Sequence, residues 1–353
     1  MTDIVVCVDG LDPAYLDAHE TPEWDRLAEE GTAGACDAVV PTLTNVNNVS
    51  ITTASFPVHH GITGNSYYDR EADELVYMED PAYLQRETVL ANRSAAGETV
   101  AVLVAKSKLE AMVGRGCDIS ASAQQPPDWL VDAVGEAPGI YSGEASAWLF
   151  EAAEHVLEAH DPDLLYVSTT DVVPHKHAPG AHEATAWIDA IDAGIGSLSA
   201  GATRLVATAD HGMNQKSTCT DLAGLLAREG YPAEVVQLIR DEHTYHHQNL
   251  GGAAYVYLHE HAADDIEWLV DAAGIEAVLP AAEAVKRFQL PKSRIGDAMV
   301  LASPEGVIGP VDDGVSASVD LRSHGSVHEQ TVPYLTTESV RLSHNLEAFD
   351  VVA

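Results

Sequence analysis

The sequence predicts an α/β protein: a mostly parallel sheet between helices, with a small α+β insertion as a cap or lid. Three observations lead there. Short apolar runs alternate with longer amphipathic ones along the chain, the pattern of βαβ units whose sheet is covered on both faces. Three apolar runs, VVCVD, LLYVSTTD and RLVATAD, end in aspartate, and open α/β sheets carry their sites beyond the carboxyl ends of strands. The 353 residues, 46% of them hydrophobic, suffice for one large core with a smaller insert.

Taken in order, residues 4–8 read as a buried strand and Pro22–Glu30 as a helix with proline in its first turn. Residues 100–105 form another strand, 144–159 a helix and 164–168 a strand. A helix over 182–199 leads into a strand over 204–209. From about 231 to 290 the alternation breaks: a strand-like 253–258 is followed by helices near 266–273 and 281–288. A strand over 298–302 returns to core-like sequence. The expected division is a catalytic core, 1–230 and 291–353, with a cap over 231–290. No repeat or low-complexity linker is present.

Composition excludes several function classes. The 55 acidic side chains outnumber 18 basic ones, for a net charge of −37. Nucleic acid is a poor partner, because phosphate neutralisation needs clustered Lys and Arg. An anionic membrane is excluded on the same grounds. Only six of the bases are lysine, and the acidity is spread along the chain without an acidic tail. That is a surface suited to concentrated salt, where the Debye length falls to about 3 Å and self-repulsion is screened. Cys7, Cys36, Cys117 and Cys219 form no C-x-x-C pair and read as reduced thiols. The start MTDIVVCVDG has no basic leader, so a cytoplasmic protein of a salt-adapted organism is expected.

The strand-end aspartates are Asp9, Asp171 and Asp210. One aspartate after a strand is usually a cap or turn residue. Three at one sheet end repel one another unless cations neutralise them. Two are followed closely by histidine, in Asp171-Val-Val-Pro-His175 and Asp210-His211, and His324 lies later in RSHGS. Carboxylate and imidazole together are the ligand set of a catalytic zinc, and two such metals suit phosphoryl chemistry. Of the remaining histidines, His19, His155, His160, His182, His243, His259, His261 and His344 read as surface or core residues. His59, His177, His246, His247 and His328 stay open.

Two further features stand out. Thr44 precedes a polar Asn45-Val46-Asn47-Asn48 turn and an apolar run, a helix start with Thr or Asn as cap. Such a terminus offers N–H groups to an anion, and its hydroxyl could be a nucleophile if a metal lowers its pKa, although a plain cap is the commoner use. Lys106 and Lys108 follow a predicted strand. In an extended segment both project to one side. Two solvated lysines at a helix start are the alternative to an anion site beside the metals.

Together these residues resemble the alkaline phosphatase superfamily, whose order of two-zinc ligands they follow. The closer resemblance is to the phosphonoacetate hydrolase family. It is carried by VDGLDPAY, PTLTNVNNVSITTA, HHGITGNSYYD, AKSKL, STTDVVPHKHAPG, TADHGMN, LPKSRIGD and RSHGSVHEQ, from residue 8 to residue 330. DHG alone is a weak signal; STTDVVPHKHAPG with AKSKL separates this family from nucleotide pyrophosphatases.

The resemblance implies an alkaline-phosphatase-like core and two zinc ions, with manganese or another divalent ion as the alternative. Asp9, Thr44, Asp210 and His211 would hold one, and Asp171, His175 and His324 the other. Thr44 would be the nucleophile. Asn65 and the backbone N–H of Asn45 would bind phosphoryl oxygen, and Lys106 and Lys108 the substrate carboxylate. Two departures touch turn geometry: Val46 stands where proline is expected, and Ser326 where a second glycine is. His328 competes with His324 as a ligand, but the His-Gly step favours His324.

The chemistry fits. Cleaving carbon–phosphorus leaves a carbanion that the carboxylate can delocalise, and two ammonium groups stabilise that charge as it grows. The expected activity is hydrolysis of phosphonoacetate to acetate and phosphate through a phosphothreonine. The expected partner is a small anionic phosphonate, with no nucleic acid and no membrane; a homodimer is allowed. A nucleotide pyrophosphatase or phosphodiesterase on the same core is the runner-up, with Tyr67 and Tyr68 as a slot for the base. A non-catalytic metal- or anion-binding homologue is the third reading.

Overall fold

The computed structural model describes residues 2–241 and 247–352. Strands are numbered along the chain. Seven make the large sheet: β1 (Thr2–Cys7), β2 (Thr32–Asp37), β5 (Val100–Val104), β6 (Ile119–Ser122), β7 (Leu164–Ser168), β8 (Ala202–Thr208) and β16 (Thr331–Thr336). Their order is β2-β16-β8-β1-β7-β5-β6. All run parallel except β16, which is antiparallel to both neighbours. Every residue of β1, β5 and β7 is buried, because helices cover both faces and leave no solvent side for polar residues.

The three strands that run into aspartate, β7, β1 and β8, are adjacent and parallel, so their carboxyl ends lie side by side. Asp9, Asp171 and Asp210 therefore converge at one sheet end. The elements read from sequence are found within one or two residues: the helices are Pro22–Glu30, Ala145–His160 and His182–Gly201.

The region after residue 231 builds a second sheet, antiparallel and four-stranded: β10 (Ala233–Gln237), β11 (Ala253–Leu258), β12 (Ile275–Pro280) and β13 (Ala298–Ala302), in the order β10-β11-β13-β12. Here the structure corrects two readings. Residues 298–302 do not return to the large sheet; β13 pairs with β11 and β12. The helix near 266–273 is a 3₁₀ run, Ala263–Asp271; the helix Ala281–Phe288 is as read. Alternation along β11 divides the packing. Tyr255 and Tyr257 face the main core, whereas Ala254, Val256 and Leu258 face a separate cluster with Leu222, Leu226 and Ile266.

Two smaller units have no counterpart in the sequence reading. One is the hairpin β3 (Ser66–Asp69) and β4 (Glu74–Tyr77); the other is a three-stranded sheet of β9 (Asn214–Thr220), β14 (Gly306–Ile308) and β15 (Ser316–Ser323). Their sequences, NQKSTCT for β9 and SASVDLRS for β15, lack the apolar run that marks a buried strand. The four cysteines are free thiols, all but Cys117 buried. No helix among the described residues is long and apolar enough to cross a membrane.

Helices Ala145–His160 and His182–Gly201 pack closely because Gly194 faces the Phe150 ring. A Cβ on Gly194 would lie 2.3–2.6 Å from three ring carbons. Gly194→Ala is expected to cost about 1–3 kcal/mol by overpacking, read as a lower urea midpoint at unchanged slope.

Candidate active site

The site is built at the carboxyl ends of β7, β1 and β8. Asp9 and Asp210 each sit two residues past a strand, and Gly10 turns the chain away with φ +75°; a Cβ there would meet Asp171 Cβ at 3.0 Å. Asp210 Oδ1 accepts from the backbone N–H of Gly10 and of His211, each at 3.0 Å. Helix Val172–Lys176 lifts His175 back over Asp171, with Nε2 2.9 Å from its Oδ2.

Two groups result, each with donor atoms within 4.8 Å of one another: Asp9, Asp210 and His211, and Asp171, His175 and His324. All six residues are buried. The groups adjoin, since the His211 and His324 rings stack at 3.6 Å and 11°.

The three imidazoles are oriented alike. Nδ1 of His175, His211 and His324 lies 2.8, 3.0 and 2.7 Å from the carbonyls of Arg322, Gly212 and Thr42. A carbonyl only accepts, so each Nδ1 carries the proton and each Nε2 turns a lone pair toward the carboxylates. This is how metal-ligating histidines are held by their surroundings. Burial, with His211 and His175 nearby, lowers the pKa of His324 well below its ordinary value, which favours the neutral, ligating form.

The carboxylates carry the opposite strain. Burial, then Asp171 and Asp210, raise the Asp9 pKa well above the usual carboxylate range. Asp9 Oδ2 is buried with no hydrogen-bond partner among the described residues. Buried charges persist when paired or when they ligate metal. The nitrogen and oxygen donors, the aligned Nε2 atoms and the orphaned oxygen fit two zinc-like cations.

Thr44 belongs to the same cluster. It is not a helix cap: Leu43 is extended, at φ −127° and ψ 144°, and takes the N-cap position of helix Thr44–Thr53. The Thr44 hydroxyl is thereby released toward the carboxylates, 3.4 Å from Asp9 Oδ1 and 3.4 Å from His211 Nε2. Val46, where proline is expected, lies buried in the first turn of helix Thr44–Thr53.

Asn65 lies beside Asn45, whose side-chain amide donates to Asn65 Oδ1 at 2.9 Å. One Asn65 N–H goes to the Ile239 carbonyl at 2.9 Å, leaving its second hydrogen for another acceptor. Lys106 is the extended residue before helix Ser107–Val113, and Lys108 lies inside that helix. The two are thus not on one extended segment, yet both line the same cavity. Lys106 Nζ lies 4.0 Å from Asp171 Oδ1. Burial opposes its charge, but Asp171, Asp9, Asp241 and Asp210 outweigh that and raise its pKa. Lys108 pairs with Asp241 and lies 3.7 Å from Glu79.

The cavity measures about 210 Å³ and is lined by Thr44, Asn45, Asn65, Lys106, Lys108 and Asp171, among others. That is below the roughly 300–1,000 Å³ of a pocket for a drug-sized ligand. Ile239, Asp241 and His247 close it from the stretch between β10 and β11. The sequence reading did not select Asp241 and left His247 open, since nothing in their local sequence marks them. It also missed Asn48, whose amide donates to the Thr44 carbonyl at 3.0 Å and to Asp210 Oδ2 at 3.4 Å. His328 is outside the cluster, 2.5 Å from Glu276. His59 is exposed and His177 half-buried; His243 and His246 lie outside the described residues. Tyr67 and Tyr68 line a different groove, with Arg70, Tyr257 and Arg294.

Comparison with known proteins shows what the chain is similar to. A family model described as type I phosphodiesterase / nucleotide pyrophosphatase matches residues 4–325. Phosphonoacetate hydrolase from Sinorhizobium meliloti 1021, solved with phosphonoformate and with phosphonoacetate, is 32% identical; the match covers 100% of this chain and 96% of that one, at TM-scores of 0.91 and 0.92. Human ectonucleotide pyrophosphatase / phosphodiesterase 5 shares the fold, with 18% identity and a TM-score of 0.71 over 100% of this chain and 94% of that one. Venom phosphodiesterase of Macrovipera lebetinus is 28% identical over 239 residues, 61% of this chain. The match spans about a quarter, 26%, of that relative's length.

The raised Asp9 pKa has a sign. Its charged form costs stability in the metal-free fold, a cost that appears as pH rises above the unfolded value of 3.8. At pH 7, metal-free Asp9→Asn is expected to melt higher than the metal-free parent by about 2 °C or more, the shift that ~1 kcal/mol gives. Added zinc should then raise the parent's Tm more than the variant's. Thermal melts with chelator and with zinc check both.

Proposed function

Because the chain belongs to the type I phosphodiesterase / nucleotide pyrophosphatase family and is a hydrolase of alkaline-phosphatase-like fold, we propose that it cleaves the carbon–phosphorus bond of phosphonoacetate to acetate and phosphate. One observation carries the substrate: Lys106 and Lys108 share a small cavity with Thr44, Asp171 and His324, and Asp9 and His211 stand 3.4 Å from the Thr44 hydroxyl. A phosphonate at one end and a carboxylate at the other match that layout. The 32% identity to a phosphonoacetate hydrolase over the whole chain supports it.

Asp9, Thr44, Asp210 and His211 would hold one divalent cation, and Asp171, His175 and His324 the other, with zinc preferred and manganese the alternative. When bound, the cations neutralise the phosphonate and lower the pKa of the Thr44 hydroxyl. Thr44 Oγ1 then attacks phosphorus in line with the departing carbon. The threonine O–P bond forms as the C–P bond breaks, and its electron pair passes to the methylene carbon and into the carboxylate. Lys106, with Lys108 behind it, faces that growing charge. A proton from water completes acetate. A second water attacks the phosphothreonine, phosphate leaves, and Thr44 Oγ1 regains its proton. The second Asn65 N–H and the first-turn N–H of Asn45 hold phosphoryl oxygens meanwhile.

The small sheet is the cap in this reading. Because β13 pairs within it, we extend the cap from about 231 to 302, beyond the boundary at 290 expected from sequence. The cap supplies Ile239, Asp241 and His247 to the cavity. The acidic surface is read as salt adaptation in a cytoplasmic protein. The nucleotide reading loses Tyr67 and Tyr68, which line a different groove, but Tyr141 lines the cavity; a nucleotide diester is therefore the counter-assay.

Phosphate and acetate should be released one to one from phosphonoacetate by the zinc-loaded protein in molar KCl, and Thr44→Ala should abolish both. Diester turnover without phosphonoacetate turnover would favour the phosphodiesterase, and two bound zinc ions with no turnover the non-catalytic homologue. Lys106→Ala removes a half-buried charge partner, so kcat/KM for phosphonoacetate should fall roughly 30-fold, the low end for a hydrogen-bonded charge pair. The loss on a neutral-tailed aryl phosphate should be much smaller, and Lys108→Ala, already neutralised by Asp241, should cost less than Lys106→Ala. Equal losses on both substrates would remove the lysines from carboxylate binding.

A further inference from the structure

Behind the two carboxylate–imidazole groups lies a second buried ion pair that the reaction does not use. Lys216, on β9, and Glu329, in the 3₁₀ turn Val327–Glu329, have fully buried side chains, with Nζ 2.7 Å from Oε1. Lys216 also donates to the Pro304 carbonyl at 2.8 Å. Glu329 reaches both histidine-bearing turns. Its Oε2 accepts from Ser326 N at 3.0 Å and Ser326 Oγ at 2.9 Å, two residues past His324. Its Oε1 accepts from Asn214 Nδ2 at 2.8 Å, and its backbone carbonyl accepts from Gly212 N–H at 2.8 Å, next to His211. The Ser326 carbonyl in turn accepts from Thr42 Oγ1 at 2.7 Å, two residues before Thr44.

Stability alone explains such a pair poorly. Taking two charges out of water costs several kcal/mol each, and apolar replacements are often neutral or better. What the pair supplies is a fixed distance. His211 and His324 belong to different groups yet stack at 3.6 Å, and Glu329 is bonded to the turn that carries each. Ser326 fits this function. Its φ of −103° needs no glycine, and its hydroxyl adds a bond to Glu329 that glycine could not. Gly252 makes the room, since a Cβ there would lie 2.7 Å from Ser326 Cβ.

We propose that Glu329, anchored by Lys216, is a positioning residue that sets the separation of the two metal sites, acting through Ser326 on one and Asn214 on the other. This rests on the two-cation reading of the active site. Calorimetric titration of the metal-free protein with Zn²⁺ tests it, with Asp9→Asn and His175→Ala each removing one site to assign the two. Glu329→Gln should weaken both sites about tenfold or more, the low end for groups that orient metal ligands. Ser326→Ala should weaken only the His324 site, and Asn214→Ala only the His211 site. Should Glu329→Gln not fold, the Ser326 and Asn214 variants decide. A parent with two sites whose folded variants bind zinc as the parent does overturns the positioning function alone. A parent that binds fewer than two zinc ions overturns the two-cation reading and this inference with it.

Discussion

Mutual repulsion among three buried carboxylates is the constraint on which the site depends. Adjacent parallel strands β7, β1 and β8 deliver Asp171, Asp9 and Asp210 to one sheet end, where water does not reach them. Such an arrangement is costly in a metal-free protein, as the raised Asp9 pKa records. It becomes favourable once positive charge is supplied. The fold thus places a demand for positive charge where the topology brings the three strand ends together.

The surrounding residues make that demand specific. Carbonyl acceptors fix the tautomer of His175, His211 and His324, so each presents a lone pair where a carboxylate already points. Asn48 joins the helix that starts at Thr44 to Asp210, and its Oδ1 accepts from the buried Tyr166 hydroxyl at 2.7 Å. The Thr44 backbone is therefore tied to the carboxylate–imidazole groups, and a shift in one moves the other. Because these contacts are short, buried and directional, the geometry is pre-organised and does not wait for substrate.

Much of this was legible in the sequence because it is encoded locally. Apolar runs ending in aspartate report both a strand and the position past its carboxyl end, and Asp171 to His175 is one helical turn. The illegible parts are those where distant segments meet. Asn48 reads as one polar residue in a polar turn; only the approach of β8 makes it a partner of Asp210. His247 and Asp241 reach the cavity through the packing of the smaller sheet. The start of β13 looked like core because its alternate residues are apolar on both faces, and a strand shared between two clusters gives the same pattern as one inside a large sheet. Thr44 shows a finer limit: the sequence placed a helix start there, but whether the hydroxyl caps or is released turns on the backbone of Leu43.

Lysine placement connects the surface to the site. The chain carries six lysines under a net charge of −37, and three of them, Lys176, Lys286 and Lys292, are exposed. The other three are at the candidate site or directly behind it: Lys106 and Lys108 on the cavity, Lys216 in the buried pair with Glu329. Lys216 is held by burial, and Lys106 and Lys108, half-buried, by acidic neighbours. Each of the three stands against carboxylates, where positive charge is needed locally. Screening at high ionic strength removes the long-range repulsion an anionic substrate would meet, but it does not reach into a closed cavity. There the balance is set by a few groups within a few ångströms: Glu79, Asp171 and Asp241 line the cavity against Lys106 and Lys108, so the cleft turns positive only when cations join them.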